Sequence, residues 1–96
     1  VRRVFVDTGG FFALLVAEDR NHARARELFD QAAHERWRLV TTNAVVTETY
    51  ALLLARTREG RTKAVAFLDG LTGSAVRVER VRARDEKHAA DLVRYA

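Results

Sequence analysis

The sequence has 96 residues, the length of one small domain, and its 48% hydrophobic and 31% charged content is that of a folded chain and not a disordered one. No apolar run approaches the roughly 20 residues of a membrane span, and the lack of cysteine excludes disulfides and thiolate metal sites, which fits a reducing, cytoplasmic setting. A formal charge of +4, with fifteen of the 17 cations arginine, leaves two readings open: a polyanion partner, or an Arg-rich solvated surface.

The first predicted element is Val4-Phe5-Val6, a short apolar run without alternation. Such a run suits a strand buried on both faces of a parallel sheet. It stops at Asp7, and this acid interrupts the first apolar run, against a secretory leader. Thr8 and the Gly9-Gly10 pair follow, and Phe11 to Val16 reads as a short buried helix reached through those glycines. Asp19-Arg20-Asn21 is a helix start signal, with Ala25, Leu28, Phe29 and Ala32 on one face of a helix ending near His34. Leu39-Val40-Thr41 is a second strand. Thr42 and Asn43 offer N-caps for a third helix, Ala44 to about Arg58, which Gly60 terminates. Arg61 to Leu71 carries Ala64, Phe67, Leu68 and Leu71 at helical spacing. Ala75 to Val81 alternates as a third strand, and Asp85 caps a last helix with Ala89, Leu92, Val93 and Ala96 on one face. Strands alternating with helical stretches predict an α/β fold with a parallel sheet.

Two acids stand where chemistry is expected. Asp7 lies at the carboxyl end of the first strand, the edge where open α/β sheets bind ligands. The same position also suits a plain N-cap. Glu48 shares a helical stripe with Ala44, Ala51, Leu52 and Ala55, and a buried carboxylate there requires a cation, a donor or a proton. It does not fit a capping box, because the box position after Thr42 or Asn43 falls on Val45 or Val46. An Arg-paired Glu at the edge of the stripe is the plainer alternative. Two acids aimed at one sheet edge repel unless a cation lies between them, and Mg²⁺ suits an oxygen-only site that keeps several waters.

Other candidates are less specific. Thr8, Thr42 and Asn43 are read as caps or as polar residues that position water or phosphate. Arg56, Arg58, Arg61 and Lys63 straddle Gly60 as the densest basic cluster, either an RNA-binding patch or a helix end that complements the helix dipole. Asp19 to His22 is better read as a helix start than as an acid–base cluster. There is no P-loop, no dinucleotide fingerprint and no serine elbow, Ser74 being the only serine.

The motifs "VFVDTGGFFALL", then Asp19, His22 and Ala25, then "LVTTNAVVTET" with Glu48, then "GRTKAVAFLDGL", occur in order with the usual spacing. Together they resemble PIN-domain proteins of the VapC toxin type. The resemblance implies a three-layer α/β/α fold and a Mg²⁺- or Mn²⁺-dependent endoribonuclease acting on RNA phosphodiesters. It further implies a cognate antitoxin, a homodimer and no membrane. On that reading Asp7 and Glu48 are the metal-binding and catalytic acids, and Thr8 and Asn43 support them. It also implies that residues 1–96 are a single PIN-like domain lacking its C-terminal portion, where one or two further acids are expected. Three alternatives remain: a non-catalytic PIN-like module binding RNA or antitoxin; a degenerate domain; and, more weakly, a phosphoacceptor domain with Asp7 as acceptor. Arg2 and Arg3 on the amino side of the first strand count against the last.

Overall fold

The computed structural model of the protein describes residues 2–81. Its elements run β1 (Arg3–Phe5), α1 (Thr8–Leu15), α2 (His22–Glu35), β2 (Arg38–Thr42), α3 (Asn43–Arg56), α4 (Gly60–Leu71) and β3 (Val76–Glu79). All three strands are parallel in the order β1-β2-β3, with Phe5 opposite Val40 and Val40 opposite Arg77. The α/β class and the parallel sheet are as the sequence predicts. The last predicted helix, from Asp85, lies outside the described residues.

Alternate strand residues point to opposite faces. Val6, Leu39 and Val76 lie on the face that packs with Phe11, Val16, Leu53, Ala64 and Phe67 in the core. On the other face Arg3, Phe5, Arg38, Arg77 and Glu79 are exposed. β1 is therefore buried on one face among the described residues, not on two, and Phe5 is 56% exposed. Two of the three expected layers, sheet and helices, fall within residues 2–81.

The core is held by aromatic packing. Phe11 of α1 meets Phe67 of α4 edge-on, with ring centroids 5.2 Å apart, and meets Phe29 of α2 at 6.3 Å. Such pairs contribute about 0.5–1.5 kcal/mol beyond their area burial. One phenylalanine thus joins three helices. Between α1 and α2, the Asp19–His22 segment is a turn: the Asn21 N–H donates to Asp19 Oδ1 at 2.8 Å. His22 lies 2.8 Å from the Ala13 carbonyl through Nδ1. A carbonyl only accepts, so Nδ1 carries the proton. These contacts favour the structural reading of that segment over an acid–base cluster.

Several boundaries differ from expectation. The two glycines are not a lead-in to α1 but part of its first turn, because Asp7 caps at Gly10 and starts the helix at Thr8. Gly60 does not terminate α3, which ends at Arg56; it opens α4. Thr42, and not Asn43, caps α3, its hydroxyl accepting from the Val45 N–H at 3.2 Å.

Thr41 closes the end of β1. Its side chain is fully buried and its hydroxyl donates to the Val6 carbonyl at 2.8 Å. That hydroxyl takes the place of a ladder N–H, one residue before Asp7. Thr41→Val keeps the shape but leaves a buried acceptor unmet, so it is expected to cost about 1–3 kcal/mol. Urea unfolding should show a lowered midpoint with an unchanged m-value.

Candidate active site

β1 and β2 are in parallel register at Phe5 and Val40. Two residues further on, the same register sets Asp7 level with Thr42. These two residues are the N-caps of α1 and α3. Both helices therefore begin side by side at the carboxyl edge of the sheet. Their first N–H groups and their dipoles carry partial positive charge toward that edge, which favours anionic groups there.

Asp7 uses one carboxylate oxygen locally: Oδ1 accepts from the Gly10 N–H at 3.0 Å. A Cβ at Gly10 would stand 3.3 Å from Val6 Cγ1 and 3.6 Å from Asp7 Oδ1, so the small residue keeps the chain close under the acid. Oδ2 has no hydrogen bond among the described residues, and Asp7 is exposed. Capping thus engages one carboxylate oxygen and leaves the other without a hydrogen bond among the described residues.

Glu48 approaches from α3. The Thr8 hydroxyl, first residue of α1, donates to Glu48 Oε2 at 3.0 Å. This bond joins the element after β1 to the element after β2 and sets Glu48 beside the residue that follows Asp7. The surroundings of Glu48 differ from those its spacing predicts. Of its stripe mates, Ala44, Ala51 and Ala55 are exposed and Leu52 is half-buried, and Glu48 itself is exposed. The side chain is not a costly buried charge. Among the described residues its partner is a hydroxyl across the sheet edge, not an arginine.

Asn43 lies at the same edge but its amide is engaged. The Val81 N–H donates to Asn43 Oδ1 at 2.6 Å, and Asn43 Nδ2 donates to the Val81 carbonyl at 3.4 Å. The amide mimics a backbone partner and fastens the chain leaving β3 to the start of α3. Asn43 therefore fixes backbone and is not aimed at Asp7. This role has no sequence signature, because the partner is main chain 38 residues away.

The basic cluster stands apart. At about 1.5 Å per helical residue, Arg56 is roughly 12 Å along α3 from Glu48. Arg56 and Arg58 lie beside Val16 and Glu18, past the far end of α1. The structure brings Asp7, Thr8 and Glu48 together and leaves Arg56, Arg58, Arg61 and Lys63 at the opposite end of the helices.

Among the described residues, the donor set at the edge is oxygen only: two carboxylates and a hydroxyl. That chemistry fits Mg²⁺ or Mn²⁺, with one or two carboxylates and the remaining positions filled by water. Among the described residues no group of three or more His, Cys, Asp or Glu residues is arranged to hold a metal. A separate apolar hollow of about 160 Å³ lies between β1 and α2, lined by Val4, Phe5, Leu28, Phe29 and Trp37, with Asp7 also in its lining. Asp7 apart, its lining carries no ionisable group, so it does not suit a phosphate substrate. No helix among the described residues is long and apolar enough to cross a membrane.

Comparison with known proteins gives a consistent answer. A family model described as PIN domain matches residues 4–96. Among solved structures, the crystal structure of Mycobacterium tuberculosis VapC20, a toxin that cleaves the sarcin-ricin loop, superposes with a TM-score of 0.79 at 36% sequence identity. The match covers 95% of this chain and 67% of that one. No curated protein sequence matches.

Proposed function

The chain belongs to the PIN-domain family, and on that premise we propose that it is a divalent-metal-dependent endoribonuclease of the toxin type, inhibited by a cognate antitoxin. One observation carries the reading: the Thr8–Glu48 hydrogen bond, which places a carboxylate from α3 beside the strand-end carboxylate Asp7. The likeness to VapC20 supports it, and that protein's target makes the sarcin-ricin loop the first RNA to test.

Asp7, through Oδ2, and Glu48 would hold Mg²⁺ or Mn²⁺. When bound, such an ion activates water at neutral pH and stabilises charge on a phosphate. The remaining work falls to the chain. Thr8 draws Glu48 toward this edge through one hydrogen bond, which lowers the cost of ordering the carboxylate when substrate arrives. The N-termini of α1 and α3 favour a phosphate at the same edge. Asn43 keeps the chain beyond β3 next to the site and supports it from outside. Arg56, Arg58 and Lys63, at the far ends of the helices, would contact flanking phosphates and not the scissile one. We place this activity in the cytoplasm, the reducing setting that a sequence without cysteine suits.

The test is RNA cleavage by the full-length protein with and without a chelator. Glu48→Gln keeps the Thr8 bond and removes the charge, and is expected to lower metal-dependent cleavage by roughly 100-fold. Cleavage that a chelator does not affect, or an unimpaired Glu48→Gln enzyme, would overturn the proposal. A second reading rests on the presence of only two acids at this edge among the described residues: a PIN module that binds RNA or antitoxin without cutting. It predicts no heat of Mn²⁺ binding in calorimetry of the full-length protein.

A further inference from the structure

α4 carries a stripe that matches itself in reverse. Arg61, Val65 and Asp69 are spaced four residues apart and therefore line one side of the helix. With Thr62 and Ala66 they line a single shallow groove along it. Val65 is 46% exposed, and Leu68, three residues on, is 39% exposed. At the start of α4, Leu54 of the neighbouring α3 is 42% exposed. The buried residues of α4 are Gly60, Ala64 and Phe67, so the helix is anchored on its inner side and open on the outer one. Neither Arg61 nor Asp69 takes part in an ion pair among the described residues.

The order basic, apolar, acidic is the pattern that a two-fold contact requires. In an antiparallel pair of α4 helices centred on Val65, the axis places Arg61 of one copy against Asp69 of the other, and the reverse. Each charge lies about 6 Å along the helix from the centre. Two apolar centres meet and two opposite-charge pairs flank them, which is the self-complementarity of an isologous interface. A partner of uniform charge would meet one favourable and one unfavourable end. We infer that this face of α4 is the contact through which two copies of the chain associate. The inference rests on the exposure of this stripe and the order of its charges, and it gives the homodimer expected from the sequence a surface and a register. It assigns Arg61 to protein contact, and so separates it from Arg56, Arg58 and Lys63.

Charge reversal in the full-length protein tests the register. Arg61→Asp sets two carboxylates against each other at both ends of the contact, and Asp69→Arg sets two guanidinium groups against each other there. Each single variant is expected to weaken association at least tenfold by analytical ultracentrifugation, with an unchanged circular dichroism spectrum. Recombining R61D and D69R in one chain is expected to restore the dimer. Mixing the two single variants should restore it as a heterodimer, an outcome that a contact with some other protein does not produce. A wild-type protein that is monomeric at high micromolar concentration overturns both the interface and the homodimer reading. A dimer indifferent to both reversals overturns the interface alone, and leaves the nuclease reading to its own assay.

Discussion

Asp7→Asn is expected to abolish RNA cleavage, by about 10³-fold or more, while leaving the fold within about 1 kcal/mol of wild type. The two halves of that result come from two oxygens. Oδ1 accepts from the Gly10 N–H and caps α1. Asparagine caps a helix as well as aspartate does, so the cap survives; only a modest charge–dipole contribution, about 0.3–1 kcal/mol, is lost. The anionic Oδ2 becomes a neutral NH₂ that donates where a metal ligand must accept. Asp7→Ala is the control. It removes both functions, and should lower stability by about 1 kcal/mol in addition to abolishing cleavage. If Asp7 were a cap and nothing else, Asp7→Asn would cleave like wild type and Asp7→Ala would lose activity only in proportion to its unfolding. Thermal melting and a cleavage gel on the same preparations separate these cases. On the proposed toxin activity, expression of wild type should arrest cells and expression of Asp7→Asn should not.

The position of Asp7 is legible in the sequence because two local signals coincide there, an apolar strand run that stops and a helix pattern that begins. Parallel pairing then requires the ends of β1 and β2 to share one edge. Glu48 is legible for an incomplete reason. Helical spacing identifies its stripe correctly, but spacing does not say which stripe faces the core, and this alanine-rich one faces out. What brings Glu48 to the site is a hydroxyl on Thr8, 40 residues away in sequence. For Asn43 the sequence points to this edge but names no partner, for the same cause. Its two bonds run to main chain at Val81, and main chain leaves no mark in a sequence. Thr41 reads only as a strand residue, since a buried threonine and a buried valine look alike in a strand pattern. The basic cluster straddles a turn as its spacing predicts, with Arg56 ending α3 and Arg61 in the first turn of α4; spacing does not say that this turn lies at the end of α3 away from Glu48.

Gly60 and Gly70 should respond to the same substitution with opposite signs. A Cβ at Gly60 would stand 2.5 Å from the Leu53 carbonyl oxygen, 2.6 Å from that of Leu54 and 2.9 Å from Leu54 Cα. All three are backbone atoms of α3, so no side chain can rotate away, and α4 must back off. Gly60→Ala is accordingly expected to cost about 2–3 kcal/mol, in the range of overpacked cores, and to lower the melting temperature by roughly 10–20 °C. Gly70 lies in the last turn of the same helix, where an added methyl group would have nothing within 4 Å and φ is not positive. Gly70→Ala there removes only backbone freedom of the unfolded chain and should stabilise by about 0.5–1 kcal/mol. Helix propensity alone would make both changes favourable, so the sign at Gly60 isolates the close approach of α3 and α4. That approach is also what orients α4. It turns Ala64 and Phe67 inward and leaves Val65 and Leu68 outward. If Gly60→Ala were as stable as wild type, the two helices would not be in backbone contact, and the outward stripe of Arg61, Val65 and Asp69 would lose the frame that holds it ready for a second copy.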